Sequence, residues 1–328
     1  MVSLSLLVLF PNFRTSFLLP LQVSQLAEVF FSPRKGEKFK MIKKVKVYQK
    51  PDKSDAFTMV LTSPTNVTDK TGFAIDKIDG LGPVEADINT TEMVVDGDLF
   101  NTARIGKRNI VLELIFYSET GTGIEEVRQR SYQLFPIKKQ VYIEIETDNR
   151  TLYTKGYVEK NEPDIFSNMC KTQVSIICPD PKLYDSEGAQ VTMLVADEDS
   201  ELEYEGEVEI GGYLTLNIAS SVTAPVHDGV PAFTVSCVNP DGDAQQIQIF
   251  TPNDGFVQGD VITICSITGN KSCIWTDTAD ADHNALNLIN QNPDWIKIKP
   301  GVNTIMITDP NSALEDAYFE NQICYEGV

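Results

Sequence analysis

The sequence predicts a mainly β protein of two domains, and three observations support that prediction. Apolar and polar residues alternate in several short runs, as in residues 141–146, which is typical of strands with one buried face. Clusters of Gly, Asn, Asp and Pro separate these runs, a pattern that favours β-sandwiches or barrels. Hydrophobic residues make up 42% of the 328 residues, which is enough to bury a core in each domain.

Residues 1–40 are predicted to be a leader that precedes the true start of translation. Residues 1–10 are as apolar as the core of a signal peptide, but no positive charge precedes them and Pro11 interrupts them. The run is also too short to span a membrane. Residues 34–38 can be encoded by purines alone, as a ribosome-binding site would be, and strand-like alternation begins at Met41. We therefore expect translation to begin at Met41.

Residues 41–182 are predicted to form the first domain, a β-sandwich with one α-helix. The buried face of this helix repeats at three- and four-residue steps and comprises Ile124, Val127, Ser131, Leu134 and Phe135. Thr122 and Glu125 form a capping-box pair at its start, and Pro136 ends it. The segment Asn109–Tyr117, which precedes the helix, is predicted to be a strand.

The charge of the chain changes sharply after residue 182, which predicts a domain boundary there. Residues 41–182 carry 19 basic and 21 acidic side chains, whereas residues 183–328 carry three lysines and 24 acids. Two prolines within Cys178–Lys182 stop the preceding strand and stiffen the junction. The acidic domain would repel nucleic acid and anionic membranes, so neither is expected as its partner.

Residues 201–210 are predicted to be the most regular strand of the second domain. Leu202, Tyr204, Val208 and Ile210 would face inward, and the five intervening glutamates would share the outer face. Such a face is either solvated, where it would deter edge-to-edge aggregation, or neutralised by a basic partner or by divalent cations.

The six cysteines are predicted to be reduced and mostly buried. Their spacing matches no zinc site, and free cysteine packs as a small hydrophobic residue. A two-residue turn at Gly269-Asn270 would place Ser266 opposite Cys273, so that the thiols of Cys265 and Cys273 would point to opposite faces. Reduced thiols suit assembly in a reducing cytoplasm.

No residue is predicted to be catalytic, to bind a cofactor or to ligate a metal. The turn Thr120–Gly123 lacks both phosphate-loop patterns, and neither His227 nor His283 lies beside a nucleophile signature. The oxygen-rich segment Asp277–Asn284 fails the EF-hand pattern and is better explained as a loop with helix-capping residues. We therefore do not expect an enzyme.

Trp275 and Trp295 are the two tryptophans of the chain and the candidate carbohydrate contacts. Either ring could stack on a sugar, but both lie in strand-like segments, so packing in the core is the alternative interpretation. Paired carboxylates for glycoside hydrolysis would have to lie about 5–9 Å apart, which a sequence cannot establish. A carbohydrate-binding or adhesion protein is accordingly the alternative function.

Several segments, in order, resemble the distal tail protein family of long-tailed phages that infect Gram-positive bacteria. Those in the first domain are Ile75–Ile88, Asp96-Gly97 with Phe100, Arg104–Arg108, Asn109–Tyr117, Ile124–Phe135, Thr147–Glu162 and Val174–Pro181. In the second domain, Trp295–Ile307 resembles the family's strand pair and Gln322–Val328 resembles its terminal strand. The sequence departs from the family pattern at Asn292–Trp295 and at Asp309–Asn321.

The resemblance implies a structural role in the tail tip of a virion. The first domain would pack into a homo-oligomeric ring, usually a hexamer, beneath the tail tube protein, and DNA would pass its channel without specific binding. The second domain, residues 183–328, would be a galectin-like or jelly-roll β-sandwich on the outside, which docks receptor-binding proteins in some relatives and resembles a carbohydrate-binding module in others. A tail-associated lysin or hub protein would be a further partner. The exposed strand Met41–Tyr48 could pair across subunits. Assembly would take place in the cytoplasm of the bacterial host, without a membrane partner.

Overall fold

The fold is mainly β, so the predicted fold class is confirmed. The computed structural model describes residues 42–59, 72–117, 123–164, 170–223 and 229–328. Nowhere in these ranges is there a helix long and apolar enough to cross a membrane. The predicted leader, residues 1–40, lies outside the described residues.

Strands predominate on both sides of residue 182. The described residues up to 182 form the helix α1 (Ile124–Leu134) and the strands β1 (Ile42–Tyr48), β2 (Phe57–Met59), β3 (Phe73–Asp79), β4 (Ala86–Glu92), β5 (Asp98–Ile105), β6 (Arg108–Phe116), β7 (Gln140–Thr147), β8 (Thr151–Asp164) and β9 (Lys171–Cys178). The later described residues form a 3-10 helix (Leu286–Leu288) and the strands β10 (Leu183–Leu194), β11 (Asp199–Tyr204), β12 (Ile210–Gly211), β13 (Tyr213–Ile218), β14 (Phe233–Val238), β15 (Ala244–Ile249), β16 (Val261–Cys265), β17 (Ser272–Thr276), β18 (Asp282–Asn284), β19 (Lys297–Ile298), β20 (Gly301–Thr308) and β21 (Leu314–Tyr325).

A single sheet runs through both halves of the chain because β8 is shared between them. Its order is β18-β17-β16-β13-β21-β10-β8-β7-β1-β2, and β9 joins on β8, followed by β6 and β3. The first part of β8 pairs with β7 and β10, and its last part pairs with β9. The register shifts between Val158 and Lys160 at this change of partner, and such a bulge bends its strand.

Two large hydrophobic cores lie on either side of residue 182 in the sequence. The first contains buried side chains from Val45 to Cys178, and the second contains buried side chains from Leu194 to Cys324. The shared sheet and a four-stranded sheet of order β11-β20-β14-β15 both contribute to the second core. The proposed domain boundary at residue 182 falls between the two cores, although strand pairing continues across it.

Arg108 connects three distant parts of the chain at the junction between the halves. Its side chain is 1% exposed. Its guanidinium donates hydrogen bonds of 2.5–2.7 Å to four backbone carbonyls, those of Gly80, Gly82, Pro181 and Glu326. These acceptors belong to the β3–β4 loop, the proline-containing junction and the segment after β21. A backbone hydrogen bond from Val328 to the carbonyl of Leu81 (3.0 Å) reinforces the last of these contacts.

The helix α1 has nearly the predicted bounds but buries a shorter face than predicted. Val127 and Ser131 are buried, whereas Ile124 is 43% exposed, so the prediction for Ile124 was wrong. Periodicity identifies residues on one face of a helix, but it does not show how far along the helix the neighbouring sheet extends. Gly123 is the N-cap and forms no side-chain capping bond, while Thr122, the predicted capping residue, lies outside the described residues.

The predicted strand at residues 201–210 is interrupted. Its first part, β11, ends at Tyr204, and strand structure returns only at β12. The hydroxyl of Tyr204 donates a hydrogen bond to the carbonyl of Val208 (3.0 Å), a contact that residues four apart cannot make in an extended strand. Two outer-face glutamates are neutralised within the chain, in the ion pairs Glu207–Arg150 (3.3 Å) and Glu209–Lys297 (2.8 Å).

All six cysteines are free thiols, and five of them are buried. The predicted register of their hairpin was wrong, because Ile264 rather than Ser266 lies opposite Cys273. The connection between β16 and β17 spans residues 266–271 instead of two residues. Cys265 and Cys273 nevertheless occupy alternate positions and point to opposite faces. Burial raises the pKa of Cys273 to about 11, which keeps this thiol protonated at neutral pH.

Candidate assembly surface

The hairpin formed by β4 and β5 is separate from the other sheets. It forms its own two-stranded sheet, and every residue from Glu85 to Lys107 is exposed. An isolated two-stranded hairpin is only marginally stable in water. Within the described ranges, no further strand pairs with either outer edge. The hairpin is therefore suited to contact with another chain.

One face of this hairpin is mostly apolar from its base as far as Phe100, and becomes polar at Glu92 and Asp98 towards the tip. Directly opposite residues project from the same face, and the register places Ile88 opposite Ala103 and Thr90 opposite Phe100. We define the apolar hairpin face as Ala86, Ile88, Phe100, Ala103 and Ile105. Its three large side chains are 52–61% exposed. Exposed apolar surface that forms one contiguous face is typical of interaction sites.

The opposite face of the hairpin is mostly polar. Asp87 lies opposite Arg104, and their side chains form an ion pair of 3.0 Å. Leu99, which lies opposite Thr91, is the large apolar residue of this face and is 56% exposed. The hairpin therefore has an apolar and a polar side, although neither side belongs to the two large cores of the described residues.

The base of the hairpin is held rigidly by a glycine and an arginine. Gly80 has a φ of +85°, and a Cβ at this position would lie 1.9 Å from the carbonyl oxygen of Asn109. Glycine is needed because any side chain would clash there and would also be strained. The guanidinium of Arg108 donates hydrogen bonds to the carbonyls of Gly80 and Gly82. These bonds fix the position at which the hairpin leaves the shared sheet.

Strand β1 lies inside the shared sheet and is not an exposed strand. It pairs with β7 on one side and, over Val45–Val47, with β2 on the other. The prediction that Met41–Tyr48 is an exposed strand was therefore wrong. The partner β2 is a strand of three residues, Phe57–Met59, which is too short for apolar alternation to indicate.

Trp275 and Trp295 are both partly buried and pack against the second core. Trp275 lies in β17, and its ring centre lies 4.8 Å from that of His283 and 5.9 Å from that of Phe256. Trp295 lies outside the strands, with the ammonium of Lys271 5.2 Å from its ring centre. The two rings have different neighbours, and their role as carbohydrate contacts stays a prediction.

The part of the chain that the structure describes has no group of three or more His, Cys, Asp or Glu side chains that could hold a metal. In the oxygen-rich segment, the Asp277 carboxylate accepts hydrogen bonds from two backbone N–H groups and lies 2.9 Å from Nε2 of His283. Asp282–Asn284 forms a strand rather than the predicted loop, because it pairs with β17. Thr120–Thr122 and His227 lie outside the described residues.

The fold is similar to that of one solved phage protein. The structure is similar to the crystal structure of the Dit protein of phage SPP1, described as a paradigm of the hub adsorption apparatus in phages that infect Gram-positive bacteria. The TM-score is 0.57 and the identity 15%, with 76% of this chain and 93% of that chain covered.

Two structures of the phage P2 baseplate in its activated conformation are also similar to this chain. The structure with Ca has a TM-score of 0.45 at 11% identity and covers 88% of this chain and 100% of that chain. The structure with Sr has a TM-score of 0.43 at 11% identity and covers 87% and 99%. No family model matches the sequence, and no curated protein matches it.

Proposed function

We propose that this chain is a structural, non-enzymatic distal tail protein of a long-tailed phage or prophage. Residues 41–182 form a hexameric ring that joins the tail tube to the tail tip or baseplate. Residues 183–328 face outward as a docking hub for host-recognition proteins. The likeness of the fold to the SPP1 Dit protein supports this role. The observation that carries it is the exposed apolar hairpin face.

Covering the apolar hairpin face with a second copy of the chain would stabilise an assembly. Full burial of a large apolar side chain contributes about 1.5–3 kcal/mol, and Ile88, Phe100 and Ile105 are each between half and two-thirds exposed. Covering all three therefore contributes roughly 3–5 kcal/mol at one interface. In a closed ring the hairpin of each copy contacts one neighbour, and each copy is contacted by the hairpin of its other neighbour. This contribution is therefore repeated at every interface.

The distribution of charge favours the same arrangement. Residues 41–182 are nearly neutral and can pack closely, whereas the 24 acids and three lysines of residues 183–328 favour an outward position in a sixfold assembly. The partners in this proposal are the tail tube protein, a tail-associated lysin or hub protein and receptor-binding proteins. DNA passes the channel without specific binding. The protein assembles in the cytoplasm of the bacterial host and resides at the tail tip.

The proposal is tested by the oligomeric state of the purified protein and of two matched variants. Light scattering and negative-stain microscopy of the unaltered chain are expected to show rings. Phe100→Glu places a charge on the apolar hairpin face and is expected to reduce the rings to monomers. Leu99→Glu places the same charge on the neighbouring residue, which is similarly exposed but projects from the polar face, and is expected to leave the rings intact.

Two results would contradict the proposal. A strictly monomeric chain at high concentration would rule out self-assembly. If Phe100→Glu and Leu99→Glu lose rings to the same extent, or if both variants keep them, the apolar hairpin face is not the contact. Circular dichroism of both variants provides the control for folding, and both are expected to match the unaltered chain because neither residue belongs to a core.

A further inference from the structure

A cleft of about 660 Å³ lies on the shared sheet, where the two halves of the chain meet. Its size is within the range of about 300–1,000 Å³ that is typical of small-molecule sites. The loop after β1, the start of β10 and the loop between β16 and β17 form its walls. Five of its lining residues are tyrosines, namely Tyr48, Tyr142, Tyr153, Tyr184 and Tyr213. We call it the tyrosine cleft.

Four of the five tyrosine rings are at least partly exposed and form an aromatic surface, whereas Tyr48 is 3% exposed and lies against Tyr142. Tyr48 and Tyr142 lie directly opposite each other on β1 and β7, and their rings stack with centres 5.1 Å apart and planes 6° from parallel. Tyr153 lies opposite Tyr184 on β8 and β10, with ring centres 5.8 Å apart. Tyr213, on β13, is 37% exposed. Strand pairing therefore sets the position of each ring before any ligand arrives.

The buried carboxylate of Glu144, on β7, connects two walls of the cleft through hydrogen bonds. Glu144 is 2% exposed. It binds Lys46, and its Oε2 accepts hydrogen bonds from Nζ of Lys53 (2.6 Å) and Oγ of Ser186 (3.0 Å). Lys53 Nζ also donates to Oγ of Ser186 (2.8 Å). The wall after β1 and the wall at the start of β10 are thus preorganised, which lowers the cost of binding.

The ionisation of Glu144 follows from these contacts. Burial alone would raise the pKa of this carboxyl, but hydrogen bonds from Lys46, Lys53 and Ser186 outweigh burial and hold the pKa below its usual value. The carboxylate is therefore charged at neutral pH. Its charge is paired with the lysines of the cleft wall and is not available to a ligand.

The polar residues of the cleft disfavour an anionic ligand. Lys53 is paired with Glu144, and the carboxylate of Asp180 accepts a hydrogen bond from the hydroxyl of Tyr184 (2.5 Å). Beside the tyrosines, the lining offers Lys155, Asp185, Asn270, Glu320 and Gln322. These residues supply amides and charges of both signs with no excess of positive charge, so a phosphate-bearing ligand is disfavoured.

We propose that the tyrosine cleft binds a neutral saccharide chain. A pyranose ring has apolar C–H faces that stack on aromatic rings, and hydroxyl groups at its rim that pair with amides and carboxylates. The tyrosines and their polar neighbours match this alternation. An amphipathic helix of a protein partner would need a groove rich in aliphatic side chains, whereas Ile210 and Ile267 are the branched aliphatic residues that line the cleft.

Saturation-transfer NMR and calorimetry on the full chain test this proposal. The probes are maltotetraose, cellotetraose and tetra-N-acetylchitotetraose at millimolar concentrations, with glycerol 3-phosphate as the anionic probe. We expect at least one tetrasaccharide to bind, and Tyr213→Ala to weaken that binding about tenfold, as expected for the loss of one stacking ring. Tyr132→Ala removes a tyrosine of α1 that is 43% exposed and is expected to have no effect.

Three results would overturn the proposal. The first is that no tetrasaccharide receives saturation, the second is that glycerol 3-phosphate binds more tightly than all of them, and the third is that Trp295→Ala abolishes binding while Tyr213→Ala does not. Gln322→Ala is a second variant with little risk of misfolding, because this residue is exposed, and it is also expected to weaken binding. Ring formation by Tyr213→Ala, measured in parallel, is expected to be unchanged, so failure of saccharide binding is distinguishable from failure of assembly.

Discussion

Replacing Arg108 with alanine is expected to destabilise the protein more than any change of an exposed arginine. The side chain is 1% exposed and binds four carbonyls. A hydrogen bond to a charged group contributes about 1.5–3 kcal/mol, and an unsatisfied buried partner costs about 1–3 kcal/mol. Gly80, Gly82 and Glu326 are themselves exposed, so water can replace part of this bonding. We therefore expect a loss of roughly 3–4 kcal/mol in the free energy of unfolding.

Urea unfolding followed by circular dichroism measures this loss. Arg104→Ala is the matched control, because the Arg104 side chain is 80% exposed and its ion pair with Asp87 lies on the surface, where such pairs contribute about 0–1 kcal/mol. Arg108→Lys is expected to lose about half as much as Arg108→Ala, since an ammonium cannot reproduce the planar fork of donors. If Arg108→Ala and Arg104→Ala unfold at the same urea concentration, the role given to Arg108 is wrong.

Two further predictions concern the base of the hairpin and the wall of the cleft. Gly80→Ala is expected to destabilise the fold by more than about 1 kcal/mol, because the added Cβ would clash with the carbonyl of Asn109. Gly97 has a similar positive φ but no atom near the position of an added Cβ. Gly97→Ala should therefore lower the thermal unfolding temperature less than Gly80→Ala does. The lowered pKa of Glu144 stabilises the fold above the usual pKa of 4.5, and this contribution is lost as the pH falls through the folded-state pKa. Glu144→Gln should therefore be less stable than the unaltered protein at neutral pH, and urea unfolding across a pH series should show the difference shrinking in acid; a constant difference would contradict the assignment.

Local structure could be predicted from the sequence because it depends on residues close together in the chain. The segment Asn109–Tyr117 was predicted as a strand, and β6 spans Arg108–Phe116. The helix was predicted from periodicity and from Pro136, and α1 ends at Leu134. For the helix, the three- and four-residue spacing of its apolar residues and the proline after it were sufficient signals.

The apolar hairpin face was not predicted from the sequence, although a signal for the hairpin was present. Asp96-Gly97 is a turn dipeptide between two segments of strand-like composition, which is a pattern that predicts a hairpin. Neither segment indicates, however, that Ile88 and Phe100 share a face without a core beneath them. Exposure of an apolar face depends on the absence of a packing partner, and that is a property of the whole fold.

The tyrosine cleft could not be predicted because its residues come from strands that are far apart in the sequence. Tyr48, Tyr142 and Tyr213 belong to β1, β7 and β13, and they meet only because β8 joins the sheet of one half to that of the other. Sequence patterns specify which residues alternate along a strand, but pairing between distant strands is set by the tertiary fold.

The bond between Arg108 and Glu326 also constrains how long the protein takes to fold. These residues are separated by 218 positions, and the cost of closing a loop rises with its length. Folding is slow when contacts join distant segments. The junction around Arg108 therefore cannot form until the last strands have been synthesised. During that interval the apolar hairpin face is already exposed, so a chaperone that covers it would reduce association of incomplete chains.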